Sequence, residues 1–496
     1  MGQRTDIAEL VMQLSRTEKR YIRMQVSLHG QDKVYMKLLD AIEADPDITD
    51  EALSRLAGRK GRESSLSAYK NYLYHVILRS LRNYHQKASE NQEFLTVLAN
   101  LEVLFQKGLY QQCRKIIRRD KKRCYETEKY YYLLELIRME KRLIMVNSYS
   151  QVSYNDFNDL YKEEQKVIDI IRRLSAWWRV ANIVNKNLLS HENKRAYPVS
   201  YYQKILKSKY MSLPEQMLVR SERYYRSVIL SGCYYALGDE WNHYLSTRDN
   251  VAFVEENPQL KREEINKYLS LNHYLMKAQL ELGMADDVLQ NLEKLERMCE
   301  EPVYLNSENV LSRVFYLRMF FGLRACLKKK DYAAAEALAG EFNRTYKKFE
   351  ARLDPAYIVE VKYFQALLAF HQANSRKTLQ ILQQILNDPY YDIDKDVFRF
   401  VRILQAVVHY HLHNDEVLEY LLKAMQNHYR NVKNYHQVEL LILRVLGNIL
   451  HKRPQKEKLE KLRGEIAALK TDVFEKEAFE FFDALAWLDQ PPVFRS

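Results

Sequence analysis

The feature that most constrains this chain is a short polar turn that returns at a steady interval. Turns centred on Gly238, Gly283, Lys330, Ala373 and His413 follow one another at 45, 47, 43 and 40 residues. Each is preceded by an apolar stretch of helical period and followed by another. After the last four turns the second stretch carries Val288, Leu292 and Leu295; Ala335, Ala339 and Phe342; Thr378, Leu382 and Ile385; and Leu418, Leu422 and Met425. Self-similarity at this period marks an array in which each unit is one helix–turn–helix that stacks on the next. Leu327–Phe342 is the clearest copy. One helix ends in Lys328, Lys329 and Lys330, and a second opens at Asp331 and Tyr332. Ala335 and Ala339 then stand one helical turn apart, where two helices can approach closely. Asp354-Pro355 marks a unit boundary, with Asp as N-cap and Pro in the first turn.

Composition points the same way. A chain of 496 residues exceeds one compact core, and its 12 glycines and 10 prolines leave room for short loops only. Leu, Ala, Glu, Lys, Arg and Gln are abundant and favour helix. The expected fold is all-α: a right-handed α-solenoid of stacked antiparallel helix pairs with a helical N-terminal region. The expected divisions are a helical domain over 1–90, a basic helical region opening the array over 91–210, repeats over 211–450 and capping helices over 451–496.

Along the chain, Ser15-Arg-Thr-Glu18 has the capping-box pattern. A short helix over Glu51–Ala57, a basic turn at Gly58–Arg62 and a long helix carrying Leu66, Leu73, Ile77 and Leu81 follow. With Lys70, Arg79 and Arg82 this segment resembles a DNA-binding helix-turn-helix. The turn is long for that motif and the second helix is apolar along its length, which favours a helical domain with a solvated basic face. Adjacent Trp177 and Trp178 point about 100° apart on a helix, so they meet different surroundings. Ser212-Leu-Pro214-Glu215 reads as a helix start. The aromatic cluster Phe474, Phe479, Phe481, Phe482 and Trp487 reads as the cover of the last repeat.

The net charge of +12 is unevenly spread: residues 1–210 hold 38 Lys and Arg against 25 Asp and Glu, and the remainder 39 against 40. The most basic run is Arg114–Arg123. Its Arg114, Lys115, Arg118, Arg119, Lys121, Lys122 and Arg123, with Tyr130 and Tyr131 nearby, are the candidate binding residues. Basic groups could neutralise phosphates and tyrosines could stack bases. The alternative is a solvated helix with ordinary packing tyrosines.

Five scattered cysteines without a CxxC pair argue against a disulfide framework or a structural zinc site and fit a reducing cytoplasm. The N-terminus has no basic-then-apolar signal pattern, and Asp6 stands where a myristoylation motif needs Ser or Thr. No apolar run is long enough to span a bilayer; the most apolar helix, near Leu440–Leu450, is interrupted by Glu439 and Arg444. No membrane association is expected.

The turns at Gly283, Lys330-Asp331-Tyr332 and Gly108-Leu109-Tyr110 resemble those of tetratricopeptide repeats, with Ala335 at the family's small position and Cys113 and Val288 in its place elsewhere. The spacings exceed the family's period, the early-helix Trp is absent and the end-of-repeat Pro is mostly missing. The resemblance covers residues 94–450 or thereabouts, and the pattern is similar to uncharacterised tetratricopeptide-like proteins of bacteria. It implies a scaffold that binds a protein or peptide and carries no catalytic residues.

Motifs for chemistry do not emerge. There is no phosphate-cradling glycine loop, Gly-x-Ser-x-Gly elbow or His-Glu-x-x-His pair. His409 and His413 lie one helical turn apart, but His413 falls at a turn, and the pair reads as solvated or core histidines. Glu163, Glu164 and Glu360 read as ordinary helix-face charges. The expectation is a non-catalytic interaction scaffold without cofactor or metal, or alternatively a nucleic-acid-binding or regulatory protein using its basic N-terminal region.

Overall fold

The computed structural model describes residues 6–28, 33–56, 63–84, 90–146, 153–189, 198–305, 307–389, 396–431, 435–450, 456–472 and 474–489. Among these there are twenty-five α-helices and no strand. The chain divides into two compact units, Met1–Ile168 and Asp169–Ser496.

The first unit holds α1 (Asp6–Met12), α2 (Arg16–Leu28), α3 (Lys33–Ala44), α4 (Asp50–Leu56), α5 (Glu63–Tyr84), α6 (Glu90–Gln106), α7 (Tyr110–Glu126), α8 (Tyr130–Val146) and the first part of α9 (Tyr154–Leu189). The Ser15 capping box is present: the Ser15 N–H donates to Glu18 Oε2 at 2.7 Å, and the Glu18 N–H donates to Ser15 Oγ at 3.3 Å. Ile22, Leu38, Ile42, Leu73 and Ile77 form the small core of α1–α5. The basic turn Gly58–Arg62 of the helix-turn-helix reading lies outside the described residues.

The second unit continues with α10 (Val199–Leu206), α11 (Arg220–Leu237), α12 (Glu240–Glu255), α13 (Pro258–Glu263), α14 (Ile265–Glu281), α15 (Ala285–Cys299), α16 (Glu308–Lys329) and α17 (Tyr332–Phe349). It ends with α18 (Pro355–His371), α19 (Ser375–Leu386), α20 (Asp396–His411), α21 (Asp415–Asn431), α22 (Gln437–Leu450), α23 (Lys456–Leu469), α24 (Lys476–Phe481) and α25 (Ala484–Leu488). Contacts run from each helix to the next and also between successive first helices of the pairs, α14 to α16, α16 to α18, α18 to α20 and α20 to α22. The result is a stacked, repeat-like arrangement. Second helices α15, α17 and α19 bury one stripe each, such as Val288, Leu292 and Leu295 on α15. First helices α16 and α18 are buried on nearly every side. One hydrophobic core runs through these pairs from Val251 to Trp487.

One turn design explains the short loops. Gly238, Gly283, Lys330, Ala373 and His413 all adopt the left-handed conformation, with φ of 71°, 75°, 59°, 56° and 58°, as do Gly108 and Glu128 in the first unit. In each case the next residue's N–H reaches the carbonyl five positions back, as from Asp331 to Cys326 at 2.9 Å and from Asn374 to Ala369 at 2.9 Å. This closes the helix end without a loop. Asp239, Asp331 and Asn374 then cap the following helix through their own side chains, accepting from the backbone of Asn242, Ala334 and Lys377. One polar residue therefore ends one helix and starts the next.

Two expectations shift. Ser212-Leu-Pro214-Glu215 opens only a 3₁₀ turn at Glu215–Met217; α11 starts at Arg220, where the Glu222 carboxylate accepts from the Val219 N–H at 3.0 Å. The tail over Glu457–Leu488, which in sequence reads as one last helix pair, has its final helix broken into α24 and α25, because Phe482 is extended and buried. Asp354 caps α18 as expected, accepting from the Ala356 N–H at 2.9 Å. Trp177 is buried, whereas Trp178 is 56% exposed.

Candidate functional site: a groove crossed by the C-terminal helices

The residues singled out in sequence all lie on α7 and α8. Arg114, Lys115, Arg118 and Lys122 share one side of α7 by helical spacing, and Lys115, Arg118 and Lys122 are exposed. The other basic residues of the run meet carboxylates. Lys121 donates to Glu140 at 2.8 Å and to Glu163 at 2.6 Å, Arg123 to Glu93 at 2.6 Å, and Arg119 to the buried Asp120 at 2.6 Å. Tyr130 is buried, while Tyr131 is 69% exposed. Glu163 and Glu164, which read as plain surface charges, bridge α9 to α7 and α8 through Lys121 and Lys141. Tyr125 donates to Glu163 at 3.1 Å.

A second constellation, in the C-terminal unit, was not nominated by sequence. Its walls are side chains from successive first helices, and its filling is the segment Glu475–Phe481. Burial anchors this segment at both ends. The Glu475 carboxylate accepts the backbone N–H groups of Gln437 and Val438 at 3.0 and 3.2 Å, an acid seated on the N-terminus of α22. Phe482 and Trp487 enter the core, and Trp487 Nε1 donates to His411 Nε2 at 3.1 Å.

Between these anchors α24 lies against the groove. Glu480 accepts from Arg324 on α16 at 2.8 Å and from Lys328 at 2.8 Å. Burial opposes its charge, but the two cations hold its carboxyl below the usual carboxylate range. Glu477 pairs with Lys277 on α14 at 3.5 Å, and Lys476 with Glu240 at the start of α12. Burial likewise opposes the Lys277 charge, yet Glu477 carries its pKa well above the ordinary lysine value.

The apolar side of the groove is a ladder of rings. Phe481 stacks on Phe400 of α20 with centroids 5.2 Å apart and on Phe364 of α18 at 6.2 Å. Phe364 meets Phe320 of α16 edge-on at 5.6 Å, and Phe320 lies parallel to His273 of α14 at 6.3 Å. The Arg324 guanidinium sits over Phe320 at 5.1 Å and Phe364 at 5.5 Å, adding cation–π attraction to its ion pair. The Tyr363 hydroxyl donates to the Phe481 carbonyl at 3.0 Å.

Two chambers flank α24, of about 400 Å³ and about 500 Å³. Tyr235, His243, Lys277, Glu360, Glu477 and Phe481 line both. Glu360 is therefore not the plain helix-face charge that its sequence suggested: burial pushes its carboxyl up to about 7, and its main partner is the Tyr316 hydroxyl at 3.2 Å. Burial also drives His243 down to about 4 and His273 to about 3, so both imidazoles are neutral near pH 7. Among the described residues no group of His, Cys, Asp or Glu is arranged to hold a metal ion. Among the described residues no helix is long and apolar enough to cross a membrane. Comparison with models of known protein families, with curated proteins and with solved structures returns no match.

Proposed function

We propose that the chain is a non-catalytic interaction scaffold of the tetratricopeptide-like kind, which takes a segment of a partner protein on the groove side of α14, α16, α18 and α20. One observation carries this reading: the groove already accommodates a short segment, held by ion pairs from Lys277, Arg324 and Lys328 and by stacking on Phe364 and Phe400. Side chains from several repeats converge on one short helix, which is how stacked helix pairs recognise peptides. The five cysteines carry free thiols, four of them buried, which fits the reducing cytoplasm we assign. The test is site-specific photocrosslinking in native lysate. A benzoylphenylalanine at Tyr357, which lines the groove, should capture a discrete partner that the same probe at exposed Tyr420 on α21 does not. Equal capture at both positions, or none at either, would overturn the reading.

A second reading, nucleic-acid binding through the N-terminal unit, draws on α7. Arg114, Lys115 and Arg118 make no hydrogen bond or ion pair among the described residues, which leaves their charge available to phosphates. Full-length protein should then shift an oligonucleotide in a gel with steep salt dependence, and Arg114→Glu with Arg118→Glu should abolish the shift. Absent or salt-insensitive binding sinks it.

A further inference from the structure

The larger chamber differs from the ion-paired groove in what its walls leave unanswered. It is built from single helix faces: Tyr224, Val228 and Tyr235 on α11, Thr247 and Asn250 on α12, and Lys267, Leu271 and Tyr274 on α14. Residues at these spacings lie on one side of each helix. At about 500 Å³ it has the size of a small-molecule site, with mostly apolar walls and a few polar groups.

Its charges do not cancel. Lys277 is matched by Glu477 at 3.5 Å. His243 is neutral, because burial holds it down to about 4, and buried Glu360, at about 7, carries only part of a charge at neutral pH. Lys267 remains. Its ammonium lies 3.4 Å from the ring centroid of Tyr224 and has no hydrogen bond or ion pair among the described residues. Burial pulls it down to about 8, only partly offset by Glu264 just ahead of α14. Elsewhere in the chamber wall, on α12, the buried Asn250 side chain has an oxygen without a donor. A cation with no hydrogen bond or ion pair among the described residues, set among aromatic walls in a chamber that also holds an unused acceptor, asks for an anion with a flat apolar body and a donor group.

We propose that this chamber binds a compact organic anion of the aryl-carboxylate class, its charge on Lys267 and its ring among Tyr224, Tyr274 and Phe398. Because Glu477 and Phe481 of the tail wall the same chamber, the ligand bridges the tail to the first helices and stabilises the docked segment. The inference is independent of the scaffold reading, since it holds for a chain with no protein partner.

The experiment is calorimetry on the full chain at neutral pH with indole-3-acetate, 4-hydroxyphenylacetate and benzoate, beside neutral indole-3-acetamide and cationic tryptamine. At least one carboxylate should bind about ten-fold or more tighter than the amide, and tryptamine should not bind. Lys267→Met should lose about ten-fold or more of that affinity, while Lys423→Met at the surface of α21 leaves it unchanged. If Lys267→Met does not fold, as judged by its thermal transition, Lys267→Gln and Tyr274→Ala take its place with the same expectation. The proposal is overturned if no carboxylate binds at about 5 mM, if amide and acid bind equally, or if the variants bind like the parent.

Discussion

On α7, Arg114, Lys115 and Arg118 have no ionic partner among the described residues, whereas Lys277, Arg324 and Lys328 on α14 and α16 meet carboxylates that lie 152 to 200 residues further along the chain. Both sets are basic residues with aromatic ones near them, in sequence for the first and in space for the second. The first is contiguous in sequence and leaves half of its charge facing water. The second is scattered in sequence and is gathered by stacking, each first helix supplying one or two groups. Local density of charge thus reports a solvated helix face, while a site with matched charges and rings needs several repeats. Burial separates the two sets: a charge that keeps its water needs no partner, and a charge that loses it must be matched.

That contrast can be broken most sharply where the C-terminal unit buries a charge completely. Arg399 and Glu439 are 1% and 0% exposed and bond at 3.0 and 3.2 Å, with the Tyr429 hydroxyl and the His436 N–H also donating to Glu439. Arg399→Ala or Glu439→Ala should cost about 3–5 kcal/mol in chemical denaturation, whereas Arg114→Ala on α7 should change stability by less than about 0.5 kcal/mol. Similar losses would remove the distinction. Next comes Ala335→Glu, which forces a charge into a fully buried helix contact and should cost about 2–4 kcal/mol. Ala339 is only partly buried against the core, so Ala339→Glu should cost clearly less, by the same measurement.

The pH dependence isolates one buried acid. Glu360 rises from an ordinary 4.5 to about 7, so its contribution is complete below the lower value and is lost as pH rises towards the higher one. His243 runs oppositely, from 6.5 down to about 4, and masks this in the parent protein. Melting temperatures should therefore show Glu360→Gln gaining on the parent between pH 5 and pH 7.5, and a constant gap would refute the assignment. Smallest are the turns. Gly283→Ala should destabilise by about 1 kcal/mol, and Ala373→Gly should stabilise by a comparable or smaller amount, because both sites hold a left-handed residue. Thermal unfolding of the pair checks whether the two turns are equivalent.

The turns were legible because they are local. Gly238 and Gly283 announce a left-handed cap by type, and Lys330, Ala373 and His413, which do not, were found by their interval. The Ser15 box and the Asp354 cap depend on residues within a few positions of each other. The groove depends on Lys277, Arg324, Glu480 and Phe481, whose relation exists only after four helix pairs have stacked. For the same reason Glu360 read as a surface charge, Glu439 as an interruption in an apolar helix, and Phe481 as end cover. Nothing in their immediate neighbours distinguishes a carboxylate that will be buried beside a tyrosine or an arginine from one that will face water.

The separation between α24 and the helices it touches also sets an order in time. When Lys277 is synthesised, its partner Glu477 is still 200 residues away, and Arg324 precedes Glu480 by 156. The helix pairs can form from neighbours alone, whereas seating α24 closes a far longer loop at a correspondingly greater entropic cost. While the chain is being made, the ring ladder and its cations stand uncovered, so a growing chain presents a surface that α24 covers in part once the chain is finished.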